Sequence, residues 1–205
     1  MSPRHHPSAE ILAAYASGAH EPGFGLVVGA HVEACSECRS RVGAFEASSG
    51  AALSELPQAE LNPDALARTL ARLEQQVANT VVTNARPLLE RLPLKAKRWV
   101  APGVWVAAVD TPHARENRVY VLSVAKDGMT ARHEHSGPEY CTVLKGAYRD
   151  ELGTFAAGDF AAADSDLNHQ PIVQGDEECV CLFATEGRLK AQGWIGRLAF
   201  ALADV

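Results

Sequence analysis

Histidine and cysteine fall at metal-ligand spacing in one short stretch, His31-Val32-Glu33-Ala34-Cys35-Ser36-Glu37-Cys38. On a helix, offsets of four and three residues turn His31, Cys35 and Cys38 toward one face, where a single ion can touch all three. A structural Zn²⁺ takes four ligands in a tetrahedron, commonly thiolate sulfur and imidazole nitrogen, so one more donor is required. His5 and His6, near the start of the chain, are the available suppliers. If these residues were only packed, Cys35 and Cys38 would be small buried apolar groups and His31 a surface imidazole. A Cys-x-x-Cys pair one turn after a histidine favours the metal. A redox pair of the thioredoxin kind should follow a strand of a βαβ unit, and no such pattern precedes Cys35.

A second group of donors lies in the other half of the chain. His133 and His135 are two apart, which on a strand places both on one face, and Glu139 follows across a Ser-Gly-Pro turn. His169 comes after a later turn, and a closed barrel would bring its imidazole to the same point. Three nitrogens and a carboxylate oxygen suit Zn²⁺, Mn²⁺, Fe²⁺ or Ni²⁺ about equally on ligand type; the plainer alternative is a set of solvated surface groups. Three more cysteines accompany them. Cys179 and Cys181 alternate and so share a strand face, either as small buried hydrophobes or as oxidant sensors near the metal; a disulfide between such neighbours would be strained. Cys141 has the parity of Glu139 and should point into the barrel, toward the groups around the metal.

The elements that must carry these side chains change character along the chain. Residues 8 to 18 predict a helix with Ser8 as N-cap, Ile11, Leu12 and Tyr15 as apolar positions, and Gly18 as the stop. Phe24, Leu26, Val27, Val28 and His31 lead into a second helix ending near Cys35, and Cys38 opens a third that runs to Leu53, weakened by Gly43 and Gly50. Asn62-Pro63-Asp64 reads as cap, first helical position and dipole partner of a fourth helix, with Leu66, Leu70, Leu73 and Val77 at helical spacing. That helix is either a core element of a small bundle or an amphipathic face for a partner's groove. Residues 79 to 98, with Pro87 and Pro93, read as a linker. From Trp99 onward short apolar runs replace the helical period: Val104 to Val109, Val119 to Val124, Cys141 to Leu144, Phe160 to Ala163 and Cys179 to Phe183, punctuated by turn signals. The expected fold is α+β in two domains: a small all-α, helical zinc domain over residues 1–85, a linker over 86–98, and an all-β barrel domain over 99–205.

Composition narrows the partners. With 205 residues and a formal net charge of −6, the chain has room for one large domain or two small ones and no electrostatic footprint for direct nucleic-acid binding. A basic protein surface is the better complement. No run of apolar residues is long enough for a membrane span and no secretory signal opens the chain, so the expected location is cytoplasmic. Five cysteines, an odd number in closely spaced pairs, fit a reducing compartment.

Gly128 followed by His133-x-His135-x₃-Glu139-x₆-Gly146 resembles the first motif of the cupins, and Ala156-Ala157-Gly158-Asp159 leading to His169 resembles the second, with Ala156 where that family usually has proline. The pattern His6-x₂₄-His31-x₃-Cys35-x₂-Cys38 resembles the zinc-binding anti-sigma factors. In this order, over nearly the whole chain, the two halves resemble the ChrR-type anti-sigma factors, which join a helical anti-sigma domain to a cupin. The resemblance implies a cytoplasmic regulator that sequesters an extracytoplasmic-function sigma factor and frees it on oxidative stress, with singlet oxygen and organic peroxides as signals. It implies one zinc on His6, His31, Cys35 and Cys38, a second on His133, His135, Glu139 and His169, and an inhibitory surface on the N-terminal helices. The alternative is a metal-dependent, dioxygenase-like cupin enzyme with a zinc helical assembly domain, since the same ligands serve a catalyst with one open position. A zinc-stabilised oligomerisation protein is the plainest reading.

Overall fold

The computed structural model describes residues 2–76, 87–111, 117–164, 167–186 and 190–191. Val77, and the part of the expected linker up to residue 86, lie outside them, as do residues 192–205 at the end of the expected barrel.

Helix α1 (Ala9–Ala16) starts where the sequence places it, because the Ser8 hydroxyl accepts from Ile11 N–H and satisfies a first-turn donor. Helix α2 (Pro22–Ala34) begins with proline at its first position, and α3 (Ser36–Ser54) follows after a single non-helical residue, Cys35. Cys35 is extended (φ −115, ψ 110) and caps α3, its Sγ accepting from Cys38 N–H. The ligand stretch is therefore a helix junction rather than one continuous helical face. Helix α4 (Ala65–Gln76) starts two residues later than the cap pattern suggests, because Asn62 opens a turn whose carbonyl accepts from Ala65 N–H at 2.8 Å. Within the stretch expected as linker stands one turn of helix, α5 (Leu88–Arg91), followed by the buried Leu92 and a bridge from Leu94 to Val109.

The strands are β1 (Arg98–Ala101), β2 (Val104–Ala108), β3 (Asn117–Val124), β4 (His133–Glu134), β5 (Glu139–Lys145), β6 (Ala147–Asp150), β7 (Gly153–Ala156), β8 (Phe160–Ala163), β9 (Asn168–His169), β10 (Ile172–Gln174), β11 (Cys179–Glu186) and β12 (Lys190–Ala191). A six-stranded antiparallel sheet in the order β1-β2-β3-β11-β5-β8 forms one wall, and two three-stranded sheets, β10-β6-β7 and β12-β4-β9, complete the barrel.

The inner strands β2, β11 and β5 of the large sheet are buried on both faces over most of their length, which is why they read as apolar runs, whereas the edge strand β1 is mostly exposed. Along β11, Cys179 and Cys181 turn into the barrel with Val143, Tyr148 and Phe155, whereas Val180, Leu182 and Ala184 turn outward. The outward face meets the helices: Leu12, Phe24, Val27 and Val28 join Trp105, Val121, Phe160 and Leu182 in one continuous core. Burying each such side chain stabilises by roughly 1.5–3 kcal/mol. The Thr142 hydroxyl on β5 donates to Val27 O on α2 at 2.8 Å, so this interface is fixed by a buried hydrogen bond as well as by area.

Candidate metal centres

The helix junction gathers four donors. His31 stands in the last turn of α2, Cys35 at the break, Cys38 in the first turn of α3, and the N-terminal segment lays His6 across them. His31 Nε2 is 3.3 Å from Cys38 Sγ, and His6 Nδ1 is 3.5 Å from Cys35 Sγ and 3.4 Å from Cys38 Sγ. Of the two early histidines it is His6 that reaches the thiols. His5 instead packs at a tilt against Phe155, ring centroids 4.3 Å apart, with its Nε2 3.1 Å from Thr154 O. His31 Nδ1 donates to Gly158 O at 2.7 Å, which leaves Nε2 as the lone-pair atom facing the sulfurs. Burial lowers the His31 pKa and keeps the ring neutral, while burial and the adjacent Cys35 push the Cys38 thiol up to about 12. A cation at the centre of this set would draw that proton off. Two thiolates with two imidazoles, three of the four buried and His6 half-buried, fit a structural Zn²⁺.

The barrel gathers the second set. His133 on β4 pairs in register with His169 on β9; His135 follows β4, and Glu139 opens β5. All four are buried and their ligand atoms lie within 4.8 Å of one another. His133 Nδ1 donates to Ala131 O and His169 Nδ1 to Asp150 Oδ2, each at 2.8 Å, so the neutral rings turn bare Nε2 atoms inward. Those two lone pairs face each other at 3.1 Å, and His135 Nε2 approaches His169 Nε2 at the same distance. Lone pairs so placed repel unless a cation stands among them. His135 Nδ1 is buried without a hydrogen-bond partner, 3.7 Å from Glu139 Oε2. Burial pushes His133 down to about 4 and His135 to about 3, and pushes Glu139 up to about 8. The Tyr120 hydroxyl donates to Glu139 Oε2 at 3.4 Å. The donors fit a divalent ion that accepts nitrogen and oxygen.

Beside this set lies a cavity of about 130 Å³, walled mostly by apolar side chains, into which Glu139, Cys141, Cys179 and Cys181 face. Cys179 Sγ and Cys181 Sγ are 3.7 Å apart. Hydrogen bonding to Cys181, then burial, raises the Cys179 pKa; hydrogen bonding to Cys141 does the same for Cys181, and burial for Cys141. All three are held as thiols, the unreactive form. The sequence motifs alone do not include Asp150. Its signal was its parity with the inward Tyr148 on one strand, a carboxylate aimed at an interior.

A barrel of this topology with three histidines and a glutamate buried together is a cupin, and the ChrR Cupin-like domain matches residues 93–189. Over 208 aligned residues the chain is 34% identical to the anti-sigma-E factor ChrR of Cereibacter sphaeroides, covering 97% of each chain. The solved structure of Rhodobacter sphaeroides SigE in complex with the anti-sigma ChrR superposes with a TM-score of 0.76 at 34% identity, covering 89% of this chain and 99% of that one. The chain belongs to the ChrR family of anti-sigma factors. Among the described residues, no helix is long and apolar enough to cross a membrane.

Proposed function

We propose that this protein is a cytoplasmic anti-sigma factor that holds an extracytoplasmic-function sigma factor on its helical half and releases it when oxidative stress alters the barrel. The observation that carries the reading is the leucine face of α4. Every described residue from Leu66 to Leu73 is exposed, with Leu66 at 71%, Leu70 at 51% and Leu73 at 53%. Leu53, Leu56 and Leu61 are exposed on the same stretch of chain. An apolar stripe in solvent marks a partner surface, and a helix so patterned lies into a hydrophobic groove. The relative solved with a sigma factor supplies the class of partner. An acidic chain meeting the basic, DNA-competent face of a sigma factor is electrostatically complementary.

The two donor sets divide the work. His6, His31, Cys35 and Cys38 hold a Zn²⁺ that supplies folding free energy to short helices. His133, His135, Glu139 and His169 hold a second ion, zinc by family, beside the cavity through which a small oxidant such as singlet oxygen or an organic peroxide reaches them. Glu139 is the weakest point of that set, because its carboxyl carries a proton when no cation opposes burial. Cys141, Cys179 and Cys181 line the same cavity as oxidisable sulfur, shielded as thiols until the wall around Glu139 moves. The dioxygenase-like alternative has the ligands and the cavity, but the polar groups described around the site serve to hold ligands.

The test is co-purification and transcription. The full chain should form a stable complex with an extracytoplasmic-function sigma factor and silence a promoter dependent on that factor, and singlet oxygen should restore transcription. A chain that leaves the promoter active before any oxidant is added would remove the reading; oxygen uptake with a small diketone or flavonoid would favour the enzyme.

A further inference from the structure

The two donor sets share no ligand, yet the barrel reaches into the helical one. Three consecutive residues at the turn between β7 and β8 grip it from outside. Gly158 O accepts from His31 Nδ1–H at 2.7 Å. The Asp159 carboxylate, 2% exposed, accepts through Oδ1 from Arg4 N–H at 2.5 Å and His5 N–H at 3.1 Å, and through Oδ2 from Ala156 N–H at 2.8 Å. Phe160 N–H donates to His5 O at 3.0 Å. The segment that delivers His6 is thus pinned by its backbone to the barrel, one residue before the ligand.

Close approach is built into the turn. Gly158 has φ +93, and a Cβ there would stand 2.9 Å from Pro3 Cγ. Any other residue would be strained there, and its Cβ would press on Pro3 of the segment that carries His6. A buried carboxylate is costly unless its oxygens are hydrogen-bonded, and two of the three donors to Asp159 come from outside the barrel. Without the N-terminal segment, Asp159 would be left largely unsatisfied.

We infer that residues Gly158, Asp159 and Phe160 complete the helical metal centre from the barrel side, with Asp159 as a positioning residue that holds His6 over Cys35 and Cys38. The inference rests on the reading that these residues bind a metal. Its consequence is that the barrel sets the metal affinity of the helical half. The turn also has a structural route to the other site: β8 pairs with β5 from Ala163↔Glu139 to Phe160↔Thr142, and β7 pairs with β6, whose Asp150 holds His169. Coupling across such a contact is reciprocal, so metal at the helix junction should steady the turn.

Cobalt binding to the full chain reads this directly. Thiolate ligands give Co²⁺ a near-ultraviolet charge-transfer band, and loss of that band in Cys35→Ser assigns it to the helix junction. Asp159→Ala should weaken Co²⁺ at that band by about 10–100-fold, and Asp159→Asn, which keeps one acceptor oxygen, should fall between. A folded Asp159→Ala chain that titrates like the unaltered protein overturns the inference. No band in the unaltered protein overturns the metal reading beneath it. If Asp159→Ala does not fold, amide exchange decides: between the zinc-loaded full chain and its Cys35→Ser variant, residues 156–160 should exchange about tenfold faster in the variant. Unchanged protection there overturns the inference as well.

Discussion

Asp150 Oδ2 stands 2.8 Å from His169 Nδ1, and the Asp150 side chain is almost wholly buried, so the last candidate donor of the barrel set is aimed by a carboxylate on another sheet. Such a carboxylate fixes the ring's tautomer and strengthens the other nitrogen as a donor. Asp150→Asn keeps the volume and removes the charge. It should lower the barrel's zinc affinity about 10–100-fold in competition with a chromophoric chelator while leaving the cobalt–thiolate band of the helix junction in place. Equal zinc affinity in the variant would show that His169 needs no such partner.

The metal-free chain should be most stable near pH 6.5. Unfolded, the Glu139 carboxyl titrates near 4.5 and the two imidazoles near 6.5; folded, Glu139 moves up to about 8, His133 down to about 4 and His135 to about 3. Between roughly pH 4.5 and 6.5 the unfolded chain binds two imidazole protons that the folded chain lacks, against one extra on folded Glu139, so stability rises with pH. Above about 6.5 only Glu139 differs, the folded chain binds more protons, and stability falls until about pH 8. His31, lowered by burial, adds to the loss on the acid side. Zinc should reverse the upper limb, because it binds the ionised carboxylate. Thermal unfolding of chelated protein across this range is the check, and a midpoint that climbs from pH 6.5 to 8 without metal would contradict a proton-bearing Glu139.

The clustered part of each donor set was legible because its spacing is local; the choice of His6 over His5, and the support for His169, came from the family resemblance. His31, Cys35 and Cys38 needed only adjacent helical turns, and His133 with His135 only the two-residue period of a strand. The Ser8 cap and the long strands β2, β3, β5 and β11 were legible for the same reason. Strands β9 and β12 were not, since two residues carry no period, and β4 stops at Glu134, so His135 lies just past it. The cover over the large sheet was also hidden: an outward Leu182 looks the same in sequence whether a helix or another sheet lies on it. Asp159 reads as an ordinary turn residue after Gly158, and nothing local shows that its hydrogen-bond donors sit at Arg4 and His5.

Removing one thiol should cost the helices their metal and much of their order. Cys35→Ser or Cys38→Ser leaves the other donors around an incomplete tetrahedron, and the binding free energy of a structural zinc is folding free energy for so small a unit. Each variant should lose one equivalent of zinc by metal analysis, unfold at a lower temperature and fail to bind the sigma factor. A variant that keeps full zinc and full inhibition would take the junction out of the mechanism. His5→Ala should retain its zinc, because the His5 ring rests on Phe155 and contributes only its backbone near the centre.

The leucines of α4 should separate binding from stability. Leu66, Leu70 and Leu73 repeat at helical spacing and are all exposed, so replacing them leaves no cavity. Surface changes of this kind usually shift stability by no more than about 0.5 kcal/mol. At a partner's groove the same leucines would be desolvated anchors, each worth about 2 kcal/mol or more when converted to a charge. Leu70→Asp with Leu73→Asp should therefore keep the unfolding midpoint and both metals, weaken the sigma complex by about a hundredfold or more, and leave the dependent promoter active without oxidant. Full silencing by the double variant would place the inhibitory surface elsewhere on the helices, and a lowered midpoint would show that α4 packs on the chain itself.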